Sequence, residues 1–184
     1  MVPITNWGRL GNQMFQLAYL FAQAKKGYIP DVYVQYPHYF HEYEKEIQDM
    51  FGQGIGPQID AVSVHVRRTD YLTDAAFVSL SDTDYYERAM ALFPGERFIV
   101  CSDDPSWCRK KWHSNPRIQI SDGKSDLQDM NLMAACKHNI IANSSFSWWA
   151  AYLNRNTEKI VVYPKLWHTD GIVRVGFPKG WVSL

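Results

Sequence analysis

A chain of 184 residues, 46% hydrophobic and 21% charged, has the composition of a soluble globular protein and is long enough for one domain or two small ones. Nineteen Lys and Arg balance nineteen Asp and Glu, so no global field draws the chain to nucleic acid or to an anionic membrane, and any phosphate binding has to be local. Cys101, Cys108 and Cys136 are odd in number and form no Cys-x-x-Cys pair. That spacing argues against a disulfide frame or a zinc site and fits reduced core thiols of a cytoplasmic protein.

The six histidines form no His-Glu-x-x-His grouping, and Asp103-Asp104 is a lone acidic doublet, so a metal-free site is expected. Met1-Val2-Pro3-Ile4 opens the chain with neither a basic nor an apolar leader region, and no signal peptide is expected. No apolar run approaches the roughly 20 residues of a membrane helix. The expectation is a cytoplasmic protein, at most peripheral at a membrane. Aromatics make up 15% of the chain, a surplus that suits ring platforms for sugars as well as ordinary core and rim positions.

In chain order, Gly8-Arg9-Leu10-Gly11-Asn12-Gln13 is a glycine-rich turn ahead of an apolar helical stretch, residues 14–22. Such a turn presents free backbone N–H groups to an anion, although it lacks the Gly-Lys-Ser/Thr ending of a P-loop. The glycines of 52–57 read as a linker, dividing a small amino-terminal subdomain (1–57) from a carboxyl-terminal domain (58–184).

The second part alternates. Residues 62–66 predict a strand, and 82–93 a helix entered through Ser81. Residues 97–101 predict a second strand, followed by a helix to about His113 with Asp104 as N-cap and Pro105 at its first position. A strand at 118–120 precedes a capping box, Ser125 to Gln128, behind which Leu127, Met130 and Ala134 recur at helical spacing. Strand 139–142, helix 146–153 and a last strand at 159–163 complete the pattern. Strands alternating with helices mean βαβ units, and hence an α/β, Rossmann-like, mostly parallel sheet.

Sheets of this kind take ligands beyond the carboxyl ends of their strands. Three polar clusters fall there: His65-Val66-Arg67-Arg68-Thr69-Asp70, Ser102-Asp103-Asp104 and Asn143-Ser144-Ser145. Adjacent guanidiniums at the end of a buried strand are costly to desolvate unless an anion meets them, and their planar forks match a diphosphate. Arg67, on the side of His65 by the period of two, is read as the ligand-facing member, with Arg68 paired internally. Ser144 and Ser145, at a helix start, add neutral donors. A carboxylate such as Asp129 can accept from both guanine N1–H and the exocyclic amine, a pair adenine cannot offer.

Three of these stretches carry a resemblance. Gly8-Arg9-Leu10-Gly11-Asn12-Gln13-Met14-Phe15-Gln16, the His65–Asp70 motif, and residues 141–153 with their Ser147-Trp148-Trp149-Ala150-Ala151-Tyr152-Leu153 core are similar to glycosyltransferase family 11, the α-1,2-fucosyltransferases that use GDP-fucose. Residues 36–51, with Tyr39-Phe40, are similar to a family segment that precedes the sheet domain. The resemblance implies a GT-B-like donor-binding domain and a metal-independent, inverting transfer of L-fucose to a glycan hydroxyl, the acceptor being galactoside-terminated. Carried over by position, Arg67 binds the β-phosphate, His65 and Asp129 meet the guanine, and Asp103 and Asp104 sit near the nucleotide. Ser144 and Ser145 hold phosphate oxygens, and Gly11 and Asn12 close over the pyrophosphate. Asp70 is the candidate base or, alternatively, the salt-bridge partner of Arg68.

The chain departs from that family where a long acceptor-side stretch is replaced by only about residues 25–35. Two readings follow: a fucosyltransferase with a reduced, truncated acceptor subdomain, self-association being one way to complete its cleft, or a non-catalytic GDP-sugar-binding module. An NAD-dependent oxidoreductase is disfavoured, because no Gly-x-Gly-x-x-Gly turn follows the first strand.

Overall fold

A computed structural model describes residues 8–26, 35, 37, 40–123, 125–172 and 174–184. Residues 1–7, Tyr36, Tyr39 and most of the 25–35 stretch lie outside the described residues. Six strands form one sheet: β1 (Ile59–Val66), β2 (Phe98–Ser102), β3 (Ile118–Ile120), β4 (Cys136–Ile140), β5 (Val161–Tyr163) and β6 (Val182–Ser183). Every pairing is parallel and the order is β3-β2-β1-β4-β5-β6. The chain winds outward in one direction from β1 to β3, then crosses back to β4 and winds the other way. That reversal makes β1/β4 the topological switch point, the place where such sheets open a crevice.

The expected βαβ alternation holds, with local differences. The helix after β1 is α3 (Tyr85–Ala91), shorter than 82–93, because Leu80–Asp82 form a 3₁₀ turn and Thr83 is extended. Asp104 caps α4 (Pro105–Lys111) by accepting from Trp107 N–H at 3.1 Å. Ser125 caps α5 (Asp126–Ala135) by accepting from Gln128 N–H at 3.3 Å. Strand β4 begins at Cys136 and not at Asn139, since its polar Lys137, His138 and Asn139 mask the pattern of a buried strand. The two-residue β6 carries no period of its own and was not expected.

Both faces of the sheet are covered. Val62, Val64 and Val66 of β1 project to one face, against Tyr85, Tyr86 and Ala89 of α3 and Cys108 of α4. The other face packs on α5, α6 (Ser145–Leu153), α1 (Leu10–Lys25) and α2 (Glu44–Phe51), all within one hydrophobic cluster. Helix α6 is apolar around nearly its whole circumference, and Trp148 and Trp149 are fully buried. The Phe15 ring of α1 lies 4.5 Å from Trp148 and 4.9 Å from Trp149, and Phe40 stacks on Trp149 at 5.7 Å. Cys101, Cys108 and Cys136 are free and buried, as core thiols are expected to be. No helix among the described residues is long and apolar enough to cross a membrane.

One polar network crosses this core. Asn139 of β4 donates to Ser63 Oγ of β1 at 2.7 Å and to the Met133 carbonyl of α5 at 2.8 Å. Its own Oδ1 accepts from Asn154, at the end of α6, at 2.8 Å. All these groups are shut away from water, so deleting one member strands the others. Asn139→Ala is expected to lower unfolding free energy by about 3 kcal/mol in urea titrations. A loss below about 1 kcal/mol would show that the network does not hold β1, β4, α5 and α6 together.

Candidate active site

At the carboxyl ends of β1 and β4 lies a cleft of about 320 Å³. Nine of the sequence-expected residues line it: Gly11, Asn12, His65, Arg67, Asp70, Asp103, Asp129, Ser144 and Ser145. Asp104 does not line it; its carboxylate serves the α4 cap and Arg68.

Strand β1 ends at Val66, so the two arginines leave the sheet in a turn and diverge. Arg67 keeps its guanidinium at the cleft, 2.6 Å from Asp70 and 3.0 Å from Asp103, with its side chain only 11% exposed. Arg68 turns away to Asp104 at 3.1 Å and lies over the Trp107 ring at 4.1 Å. Asp103 organises the turn as a whole. Besides Arg67 it accepts from the Arg68 backbone N–H at 2.9 Å and from Thr69 Oγ1 at 2.6 Å. Asp70 remains half exposed, with Arg9 a second cation at 3.9 Å. Partial burial pushes the Asp70 carboxyl up, but the Arg67 hydrogen bond and the charges of Arg67 and Arg9 more than offset it and hold the group below the usual carboxylate range.

His65 forms the floor. It is 4% exposed, faces the Phe146 ring at 5.2 Å, and its Nδ1 has no hydrogen-bond partner among the described residues. Burial lowers its pKa to about 3, against the pull of Asp103 and with the push of Arg67, so the imidazole is neutral at physiological pH.

Two helix amino termini meet opposite Arg67. Neither α1, with Arg9 at its N-cap, nor α6, with Ser144, has a side-chain cap or an acidic residue in its first turn. The Asn12 N–H closes a turn onto the Arg9 carbonyl at 3.0 Å, and the positive dipole ends of both helices suit an anion. The helices touch through Gly11, where an added Cβ would sit 2.5 Å from Phe146 N and from the Ser145 carbonyl carbon. Beside it, Asn12 Oδ1 accepts from Ser145 Oγ at 2.6 Å and from Gln35 Nε2 at 3.0 Å. At the α5 end, Asp129 accepts from Ser121 Oγ at 2.8 Å and is joined at the wall by Asp126. Among the described residues, no group of three His, Cys, Asp or Glu comes together as a metal cluster.

Sequence reading missed Arg9 and the aromatic wall of Tyr71, Phe77, Trp167 and His168. Arg9 sits inside the glycine motif and could have been taken from it. The aromatic wall lies on irregular segments without periodicity, and only the aromatic surplus pointed toward it.

A six-stranded parallel, Rossmann-like sheet with a cleft at its switch point is consistent with a GT-B-type glycosyltransferase domain. Comparison with known proteins agrees and narrows the class. The profile of glycosyl transferase family 11 matches residues 33–184, and the chain belongs to that family. It is 40% identical over 135 residues to the O-antigen biosynthesis glycosyltransferase WbnK of Escherichia coli, covering 68% of this chain and 45% of that protein. An alpha-1,2-colitosyltransferase of Escherichia coli is 32% identical over 152 residues, 70% of this chain and 52% of that one. Galactoside 2-alpha-L-fucosyltransferase SEC1 of Bos taurus is 34% identical over 103 residues, 50% and 28% respectively. The chain thus spans about half, or less, of the curated relatives it matches.

The neutral floor has a pH signature. A histidine whose folded pKa is about 3, against 6.5 in the unfolded chain, takes up a proton more readily when unfolded, so stability falls as pH drops from 6.5 toward 3. Urea titrations of wild type and His65→Gln across that window should show a shallower acid loss in the variant. Parallel slopes would mean that His65 is accessible to protons in the folded state.

Proposed function

We propose that the chain is the donor-binding part of an inverting, metal-independent fucosyltransferase, moving L-fucose from GDP-fucose to a hydroxyl of a galactoside-terminated glycan with formation of an α-1,2 linkage. One observation carries this reading above the others: in a member of family 11, Arg67 and two uncapped helix amino termini converge at the sheet's switch point. In this role Arg67 takes the β-phosphate from its resting partners Asp70 and Asp103. Ser144, Ser145 and the first-turn N–H groups, with Gly11 and Asn12 beside them, hold the remaining oxygens. Positive charge fixed before the reaction stabilises the diphosphate as it leaves, the work a metal would otherwise do. His65 and Asp129 receive the guanine. Asp104 acts from outside the cleft, through Arg68.

Asp70, once phosphate has replaced it on Arg67, is free to accept the proton of the attacking hydroxyl. Asp70→Asn is expected to lower kcat by 10²-fold or more while GDP affinity, read by calorimetry, holds. Undiminished turnover would put the base elsewhere.

A second reading, a non-catalytic GDP-sugar-binding module, draws on the chain's span of about half its relatives. Saturable GDP-fucose binding with no transfer or hydrolysis on any galactoside panel would favour it.

The two arginines separate the roles. Arg67→Ala is expected to abolish GDP binding with the fold retained, at a modest cost in thermal midpoint because Asp70 and Asp103 lose their shared cation. Arg68→Ala is expected to lose about 1–2 kcal/mol of stability, since it gives up Asp104 and Trp107. Unfolding of Arg67→Ala together with retained activity in what remains folded would reverse the assignment.

A further inference from the structure

Beyond Arg67, on the side away from Asp129, the cleft changes character. Tyr71 and Phe77 stack with ring centroids 4.1 Å apart and planes 10° from parallel, and the His168 ring lies 5.1 Å from Phe77. Trp167, 7% exposed, and the fully buried Asn143 complete this end. The Asn143 amide donates to the carbonyls of Val78 and Trp167, each at 2.9 Å, which leaves only its Oδ1. That Oδ1, Trp167 Nε1 and His168 Nδ1 are buried atoms without a hydrogen-bond partner among the described residues. Together with His65 Nδ1, four of the six such atoms belong to cleft residues. Unpaired buried polar groups are costly and are rare in folded proteins, and their concentration at one wall points to a ligand that completes them.

The order of strands says what that ligand adjoins. From β3 to β5 the cleft presents Asp129 on α5, Asp103 after β2, His65 and Arg67 at β1, Asn143 to Ser145 after β4, and Trp167 and His168 after β5. The Arg67 guanidinium lies 5.3 Å from the Tyr71 ring, and Tyr71 Oη donates to the Asn143 carbonyl at 3.0 Å. A group bonded to a phosphate held by Arg67 therefore meets the aromatic end next.

Resting on the proposed donor reading, we infer that Tyr71, Phe77, Asn143, Trp167 and His168 form the subsite for the monosaccharide ring carried on the β-phosphate. Stacked rings offer an apolar platform to the C–H and methyl face of a 6-deoxy-hexose. A neutral acceptor, a neutral donor and an imidazole nitrogen suit its hydroxyls, which both donate and accept. None of these five side chains is acidic or basic apart from the His168 imidazole, so the subsite is matched to an uncharged ring and not to a second phosphate.

Calorimetry with GDP and with GDP-fucose tests this. Trp167→Phe and His168→Phe each keep a ring; the first removes the indole nitrogen and the second both imidazole nitrogens. Both are expected to weaken GDP-fucose by roughly tenfold and to leave GDP affinity unchanged, the latter also reporting an intact fold. If the variants bind both ligands as wild type does, or lose both equally, the subsite assignment is wrong while the donor reading stands. An effect confined to the KM of a galactoside acceptor would likewise overturn it. Should wild type bind neither GDP nor GDP-fucose, the donor reading fails and takes this subsite with it.

Discussion

No side chain fits between α1 and the start of α6. At Gly11 the backbone of the first helix lies so close to Ser145 and Phe146 that even a methyl group would collide with main-chain atoms that cannot swing aside. Much else depends on that approach. It brings two positive helix ends to the same point at the carboxyl end of β4, lets Asn12 reach Ser145, and one turn later seats Phe15 on Trp148 and Trp149. The glycine motif near residue 11 and the Ser-Trp-Trp motif near residue 148, far apart in sequence, are two sides of one contact. Their polar parts face the cleft and their apolar parts face the core.

Electrostatics within the cleft are arranged around a single guanidinium. Asp70, Asp103, Asp126 and Asp129 outnumber Arg9 and Arg67 among the lining residues, so in the proposed role the pull on a diphosphate would not come from net charge. It comes from placement. Arg67 is held by Asp103, which also fixes the backbone and hydroxyl of the residues that follow, and the half-exposed Asp70 is the partner more easily exchanged. Arg68 supplies no charge to the cleft; stacked on Trp107 and paired with Asp104, it anchors the turn to α4. The doubled arginine is thus one ligand-facing group and one tether.

Much of this was legible in the sequence. Strand β3 falls on the expected residues 118–120, and the caps at Asp104 and Ser125 appear where their side-chain chemistry placed them. Strand-end residues converge because a parallel sheet sends every carboxyl end to one edge. Where polar side chains occupy a buried strand the pattern failed, as in β4, whose Asn139 is satisfied by a network no linear reading contains. The partner of Arg68 was open between Asp70 and other acids; a choice between Asp70 and Asp104 depends on the turn after Val66, which alternation cannot reach past. The aromatic wall was invisible for a similar reason, since Tyr71, Phe77 and Trp167 come from loops on either side of the switch point and meet only in three dimensions.

In the proposed function, the cleft at the β1/β4 reversal is a diphosphate site with Arg67 as its counterion. A crystal structure with GDP bound tests it most directly. A β-phosphate oxygen is expected at about 3 Å from the Arg67 guanidinium, with Asp70 released from it and the amino termini of α1 and α6 turned toward the phosphates. Phosphates lodged elsewhere on the molecule, with the Arg67–Asp70 pair intact, would contradict it.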